Sequence, residues 1–155
     1  MKENTTRAIE MNMMNASCLA GIAMTTAGLG LVHALAHPLG IKGRISHGIA
    51  CALFLPHVLR FNWIADSDQF MGFAHAMDST IRLKYLNERD VVLKVIEGVE
   101  NLLFDIGLPR SVSEAGASWG ETEALVDEAC SSFLNQVNPR PASRKQVEDI
   151  LKMIL

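Results

Sequence analysis

A segment of fifteen residues contains three histidines and few other polar side chains. His33 and His37 are four positions apart, so on a helix they lie on one face about one turn apart. His47 follows after a short basic loop. Burial disfavours a charged imidazole, so such histidines are expected to be neutral, with a partner for each ring nitrogen. Since a metal ion also binds a neutral imidazole, the cluster predicts either hydrogen-bonded core histidines or part of a metal site.

The spacing argues against a hydrolytic zinc helix. Ala34 stands where an i, i+4 histidine pair of that kind carries its glutamate. A catalytic metal site needs at least three protein ligands, and the nearest acidic residues in sequence are Glu10 and Asp66. We therefore expect the remaining ligands to come from a distant part of the fold or from another domain. His57 and His75 lie outside the cluster and are predicted to be surface or helix-end residues.

Hydrophobic periodicity predicts helices along the chain, and no strand-like alternation of useful length occurs. Gly28 and Gly30 are expected to separate a first helix from a shorter one that carries His33 and His37, and Pro38 is expected to end or kink that shorter helix. The other predicted helices are Thr5 or Thr6 to Thr26, His47 to Arg60 with Ser46 as N-cap, Asp68 to Met77, Arg89 to Ile106, Glu121 to Phe133, and a last helix to Ile154 opened by a Ser143–Gln146 capping box.

Length and composition suit one domain with its own core. The chain has 155 residues and a formal charge of -3, which argues against a nucleic-acid partner. Cys18, Cys51 and Cys130 are odd in number and widely spaced, so we expect free, buried thiols in a reducing compartment. The N-terminus lacks the pattern of a signal peptide, and we therefore expect a cytoplasmic protein.

A long apolar segment raises the alternative that part of the chain spans a membrane. No charged side chain occurs from Met11 to Ile41, so this segment is expected to be buried in protein or in lipid. The run exceeds the roughly 20 residues that span a bilayer, and a second apolar run follows, as in a membrane helical hairpin. The break at Gly28-Leu-Gly30, Pro38 and several polar residues argue against a span, so we expect no membrane partner.

Longer motifs surround the histidines. They are Ala27-Gly-Leu-Gly-Leu-Val-His33-Ala-Leu-Ala-His37-Pro-Leu-Gly40, His47-Gly48-Ile-Ala50, Leu55-Pro56-His-Val58 and, near the end, Asn138-Pro139-Arg140. Together they resemble the signature region and closing motif of the iron-containing (group III) alcohol dehydrogenases. In that family a nucleotide-binding domain precedes an all-helical domain, and this sequence resembles only the second. The resemblance implies one all-α domain over residues 1–155, with about six to eight helices, like the C-terminal domain of dehydroquinate synthase. The N-terminal nucleotide-binding domain is expected to be absent.

The resemblance also implies a role for each histidine. His33 and His47 match metal ligands, and His37 matches a residue that lies beside the metal and the nicotinamide and assists proton transfer. The family's other ligands, an Asp and a His four residues later, precede the region covered. The implied cofactors are a divalent metal, iron or zinc, and NAD or NADP bound by the missing domain. The implied substrates are small alcohols or aldehydes, and the implied partner is that domain or a second copy of the chain.

Three positions depart from the family pattern. Ser46 replaces a common Pro, Cys51 stands where Asn is common, and Met24 occupies a position that is often aromatic. None of these removes a ligand, so the expected fold is unaffected. Two functions stay open: the metal-binding half of an iron-dependent, NAD(P)-linked alcohol dehydrogenase, incomplete alone, or a catalytically inactive helical interaction module. Such a module would oligomerise through the apolar face that otherwise meets the nucleotide-binding domain.

Overall fold

The structure is a computed structural model that describes residues 2–65, 67–77, 86–117 and 122–155. Within these ranges it contains helices and no strand, which confirms the all-α prediction. A 3-10 turn, Trp63–Ala65, follows the third helix. The helices are α1 (Lys2–Ala27), α2 (Leu31–Gly43), α3 (His47–Asn62), α4 (Ser67–Met77), α5 (Glu88–Asp105), α6 (Thr122–Ser131), α7 (Phe133–Gln136) and α8 (Arg144–Lys152).

Most helix boundaries lie close to those predicted, and the predicted capping box of Ser143 and Gln146 opens α8. The region of α6 differs, because the predicted single helix is broken at Ser132. That residue has extended backbone, and its hydroxyl accepts a hydrogen bond from Leu134 N at 3.2 Å, which starts the separate helix α7. The final helix ends at Lys152 rather than at Ile154.

The helix does not end at Pro38, which was one of the two predicted effects of this proline, because α2 continues through it to Gly43. Proline inside a helix removes one hydrogen bond and costs about 3 kcal/mol. Helix α2 lies at the centre of the fold, and its leucines at positions 31, 35 and 39 are fully buried. Each buried leucine contributes about 1.5–3 kcal/mol, so the packing of this helix outweighs the cost of the proline.

The buried hydrophobic residues form two clusters. In the larger cluster α2 packs against α3, α6 and α7, and α8 packs against α3 and α6. In the smaller cluster Phe70 and Ala74 of α4 pack against α5. Leu59 and Trp63, at the end of α3, pack against this second cluster. The third helix therefore joins the two clusters.

Helix α1 corrects the expectation that the uncharged run is buried throughout. From Thr6 to Ala27 its residues are exposed, apart from the half-buried Gly21. Seven large hydrophobic side chains of this helix are 47–73% exposed: Ile9, Met11, Met13, Met14, Leu19, Ile22 and Met24. The chain bends by 110° between α1 and α2. Gly28 has a φ of 76°, a conformation that favours glycine, and directs α1 away from the core.

Two helical segments are apolar enough to be considered as membrane spans. The helical stretch His47–Ala65 is long and apolar enough to cross a membrane once. Helices α1 and α2 meet the same criteria only if the two together are counted as one span with a bend of 110°. Six residues of α2 and six of α3 are nevertheless buried by packing within the protein. Core helices of this kind meet the same criteria of length and composition.

A buried amide joins three distant segments. Asn138, only 4% exposed, accepts hydrogen bonds at Oδ1 from Leu31 N (3.0 Å) and Asn62 Nδ2 (3.1 Å). Its Nδ2 donates to Asn62 Oδ1 and to the carbonyl oxygen of Arg140, both at 2.7 Å. Gly30, the N-cap of α2, has no side chain to accept from the first amides of the helix. Asn138 therefore caps α2 from 107 residues away and ties it to the end of α3.

We expect Asn138→Ala to lower the free energy of unfolding by about 2–4 kcal/mol, because it leaves the Leu31 amide and the Asn62 side chain without their buried partner. Urea unfolding followed by far-ultraviolet circular dichroism measures the change. Asn101→Ala, at an exposed position of α5, is the control and should change stability by less than about 0.5 kcal/mol. Equal effects of the two substitutions would contradict the capping role.

Gly30→Ala should destabilise the protein by about 1–3 kcal/mol, because a Cβ there would lie 2.7 Å from Asn138 Oδ1. The Asn138 amide is held by four hydrogen bonds, so it does not move aside without losing them. Gly72→Ala in α4 is the matched control, since nothing lies within 4 Å of a Cβ at that position. A thermal unfolding series in which Gly30→Ala is as stable as Gly72→Ala would refute this explanation.

Candidate metal centre

The three histidines of the sequence cluster come together where α2 and α3 pack. His33 lies in the first turn of α2, His37 one turn later, and His47 is the first residue of α3. The centroids of the His33 and His47 rings are 5.2 Å apart, and those of His37 and His47 are 5.3 Å apart. The His33 and His37 centroids are separated by 5.7 Å. The three rings therefore form a nearly equilateral triangle. His33 and His37 lie one turn apart on the same helix, as their sequence spacing predicted.

The connection between the two helices sets this geometry. Arg44 ends α2 in the left-handed conformation, with a φ of 53°, and reverses the chain direction. Ile45 is buried and Ser46 has extended backbone, so α3 begins beside the α2 residues that precede it. Ser46 is the N-cap residue as predicted, but its side chain makes no capping hydrogen bond.

His33 is the half-buried member of the cluster, whereas His37 and His47 are exposed. Burial lowers the pKa of His33 below its ordinary value, and the neighbouring His47 and His37 lower it further. Its imidazole is therefore neutral near pH 7, with a lone pair available for a metal ion. The prediction of a neutral histidine agrees with this shift.

The expected hydrogen-bond partners are largely missing. Within the described residues, the rings of His33 and His37 show no hydrogen bond, and the contact of His47 is between its Nε2 and Cys51 Sγ at 3.5 Å. A core histidine would have its ring nitrogens paired. His37 and His47 are exposed and His33 is only half-buried, so the alternative of core histidines does not describe this cluster.

Cys51 is a donor that the sequence analysis missed. One ligand atom from each of His33, His47 and Cys51 lies within 4.8 Å of the others. Cys51 follows His47 by four residues on α3, and this i, i+4 spacing was visible in the sequence. Imidazole nitrogens and a thiol suit a borderline divalent metal such as zinc or ferrous iron. The residues present therefore fit a divalent metal ion, with ligand positions left for groups outside this set.

The cysteines correct one prediction and confirm another. All three are free of disulfides, as expected. Cys18 is nevertheless exposed, and Cys51 and Cys130 are only partly buried. Cys18 belongs to α1, whose apolar composition suggested burial that the fold does not provide. Burial raises the pKa of the Cys51 thiol, so in the absence of a metal ion it is protonated near neutral pH.

The two remaining histidines stay apart from the cluster. His75 is exposed in the last turn of α4, as predicted. His57 is half-buried within α3 rather than at a helix end. Burial, with a smaller effect of Arg60, lowers the pKa of His57, which lines a separate pocket.

A cavity of about 650 Å³ opens beside the candidate centre. Its lining includes His33 and Cys51, the buried Asn138, and many apolar side chains from α2, α3 and the segment after α5. Small-molecule sites are typically apolar concavities with a few polar groups. The cavity therefore has the size and character needed for a small organic ligand next to the histidines.

The family model and the similar proteins of known name all indicate the same protein family. Residues 1–155 match the family described as "Fe-containing alcohol dehydrogenase family, C-terminal". The 1,3-propanediol dehydrogenase of Klebsiella pneumoniae is 35% identical over 91% of this chain and 36% of its own length. The NAD-dependent methanol dehydrogenase of Bacillus methanolicus is 30% identical over 92% of this chain and 37% of its own length.

A solved structure matches this chain over a similar share of its length. The crystal structure of a 1,3-propanediol oxidoreductase superposes with a TM-score of 0.83 and 33% identity, over 90% of this chain and 36% of that one. The chain thus spans little more than a third of the length of these relatives. The match covers the helices that carry the histidine cluster, so the chain belongs to the Fe-containing alcohol dehydrogenase family, as a member of its C-terminal, all-helical part.

Proposed function

We propose that this chain provides half of the metal site, and one wall of the substrate site, of an iron-dependent, NAD(P)-linked alcohol dehydrogenase. The reaction is the interconversion of small alcohols and aldehydes by hydride transfer. The observation that carries the proposal is the convergence of His33, His47 and His37 beside an apolar cavity. The relatives named for 1,3-propanediol and methanol support small alcohols as substrates.

His33 and His47 are the proposed metal ligands. They belong to different helices, so their separation depends on how α2 packs against α3. Neutral imidazoles add no negative charge, which leaves the full charge of a divalent ion available. Such an ion, when bound, lowers the pKa of an alcohol and polarises an aldehyde. The metal is proposed to be iron, with zinc as the alternative.

His37 is the proposed proton-transfer residue. Its ring is exposed, and it faces both other rings at centroid distances of 5.3 and 5.7 Å. Imidazole is the side chain that most often accepts and donates protons in catalysis. His37 is therefore placed to take the proton of a substrate hydroxyl and pass it to solvent.

The remaining parts of the site are proposed to come from polypeptide beyond these 155 residues. Two histidines are fewer ligands than a catalytic metal site requires. Within the described residues no carboxylate joins the cluster. A nucleotide-binding domain is proposed to contribute the missing ligands and to hold NAD or NADP, and the relatives are long enough to include one. The cytoplasm, which supplies reduced and oxidised nicotinamide, is the proposed location.

A second candidate function is a catalytically inactive helical interaction module. The observation in its favour is the exposed apolar surface of α1. A surface of this kind drives association with another protein or with a second copy of the chain. The two candidates differ in whether the histidines are needed.

We expect His33→Ala and His47→Ala each to weaken binding of Fe(II) or Zn(II) to this chain by at least about tenfold, because each removes a metal ligand. Competition with a chromophoric chelator, under anaerobic conditions for iron, measures the affinities. His75→Ala is the control, since His75 is exposed on α4, and should bind as the unmodified chain does. Unchanged affinity in both cluster variants, with helix content preserved, would favour the interaction module.

Joining the chain to the N-terminal portion of the Klebsiella relative should yield NAD-dependent oxidation of a small alcohol. In that protein His37→Gln should lower kcat by about 10²-fold or more, because it removes the proton acceptor. Metal content should stay unchanged, since His37 is not a ligand. Activity followed by NADH absorbance and metal content by elemental analysis separate the two effects. A joined protein that folds and binds metal yet oxidises no alcohol would contradict the enzyme proposal.

A further inference from the structure

Cys51 is placed as a metal ligand by its own geometry. It lies one turn after His47 on α3, and its Sγ is 3.5 Å from His47 Nε2. Zinc binds cysteine sulfur at about 2.3 Å and histidine nitrogen at about 2.0–2.1 Å, so two such ligands on one tetrahedral ion are about 3.6 Å apart. The two side chains therefore already have the separation that a shared ion requires.

A third donor lies on the opposite helix. His33 approaches from α2, and its ligand atom lies within 4.8 Å of those of His47 and Cys51. Three donors from two packed helices therefore lie close enough together to be considered as ligands of one ion.

The surroundings of Cys51 leave its thiol accessible to a metal ion from the cavity side. The side chain is partly buried and lines the apolar cavity beside His33. Its polar contact in the described part of the chain is the one with His47. Cys51 therefore lies between the histidine cluster and the larger hydrophobic cluster, and it contacts both.

We propose that Cys51 is a third metal ligand, which gives this chain a His₂Cys donor set and raises its affinity for zinc relative to iron. The proposal rests on the proposed function, because it uses the same metal site. On binding, the thiol proton leaves to solvent and the thiolate sulfur forms a bond to the ion. Thiolate is a softer ligand than the amide that is common at this position, and soft sulfur ligands select zinc more strongly than oxygen ligands do.

Cobalt(II) is the probe, because a cysteine ligand adds a sulfur-to-cobalt charge-transfer band in the near ultraviolet to the visible d–d bands. The 155-residue chain is titrated unmodified and as Cys51→Ser, Cys51→Asn, Cys18→Ser and His33→Ala. Cys18→Ser is the matched control, because Cys18 is an exposed thiol on α1. Circular dichroism checks that each variant keeps its helix content.

We expect the charge-transfer band in the unmodified chain and in Cys18→Ser, and its loss in both Cys51 variants, which keep weaker d–d bands. The ratio of zinc to iron affinity should fall at least about tenfold in Cys51→Asn. If d–d bands depend on His33 but no charge-transfer band occurs, Cys51 is not a ligand while the proposed metal site stands. If cobalt does not bind, or binds equally to His33→Ala, the His₂Cys donor set is overturned, while the proposed function is judged separately by the metal content and activity of the joined protein.

Discussion

The amide of Asn138 and the amino end of α2 form the interaction on which the position of the site depends. A helix begins with amides that have no partner inside the helix, and Gly30 offers no side chain to accept from them. Asn138 Oδ1 accepts from Leu31 N, and the same side chain pairs with Asn62 at the end of α3. Nearby, Arg140 donates to the carbonyl oxygen of Phe61 and lies 4.2 Å from its ring. This network orients the two helices that carry the histidines.

The histidine cluster lies at the border between the packed core and the surface. The leucines of α2 hold that helix in the core, while His33 on the same helix is half-buried and its neighbours are exposed. This placement lowers the pKa of His33, and it leaves His37 and His47 open to solvent. Under the proposed function, one helix supplies a neutral ligand from its inner side and a proton acceptor one turn later. Catalysis of the proposed kind needs both.

The exposed apolar surface of α1 belongs to the same functional question. A helix with large hydrophobic side chains more than 40% exposed is costly to leave in water. Under the proposed function the other metal ligands come from polypeptide outside the 155 residues, and the relatives, of which this chain spans little more than a third, have the length to supply them. The exposed surface of α1 is the feature that favours the alternative of an interaction module.

Local properties of the sequence were enough to predict most of the helices and the grouping of His33 with His37. Hydrophobic periodicity, the capping box at Ser143 and the spacing of His33 and His37 act within a few residues, so they are visible in the sequence. The exposure of α1 and the continuation of α2 through Pro38 depend instead on which surfaces pack together, which apolar composition does not specify. The capping by Asn138 and the approach of Cys51 to His33 join residues of separate helices. Only the tertiary structure decided them, because the packing of α2, α3 and the C-terminal segment sets those distances.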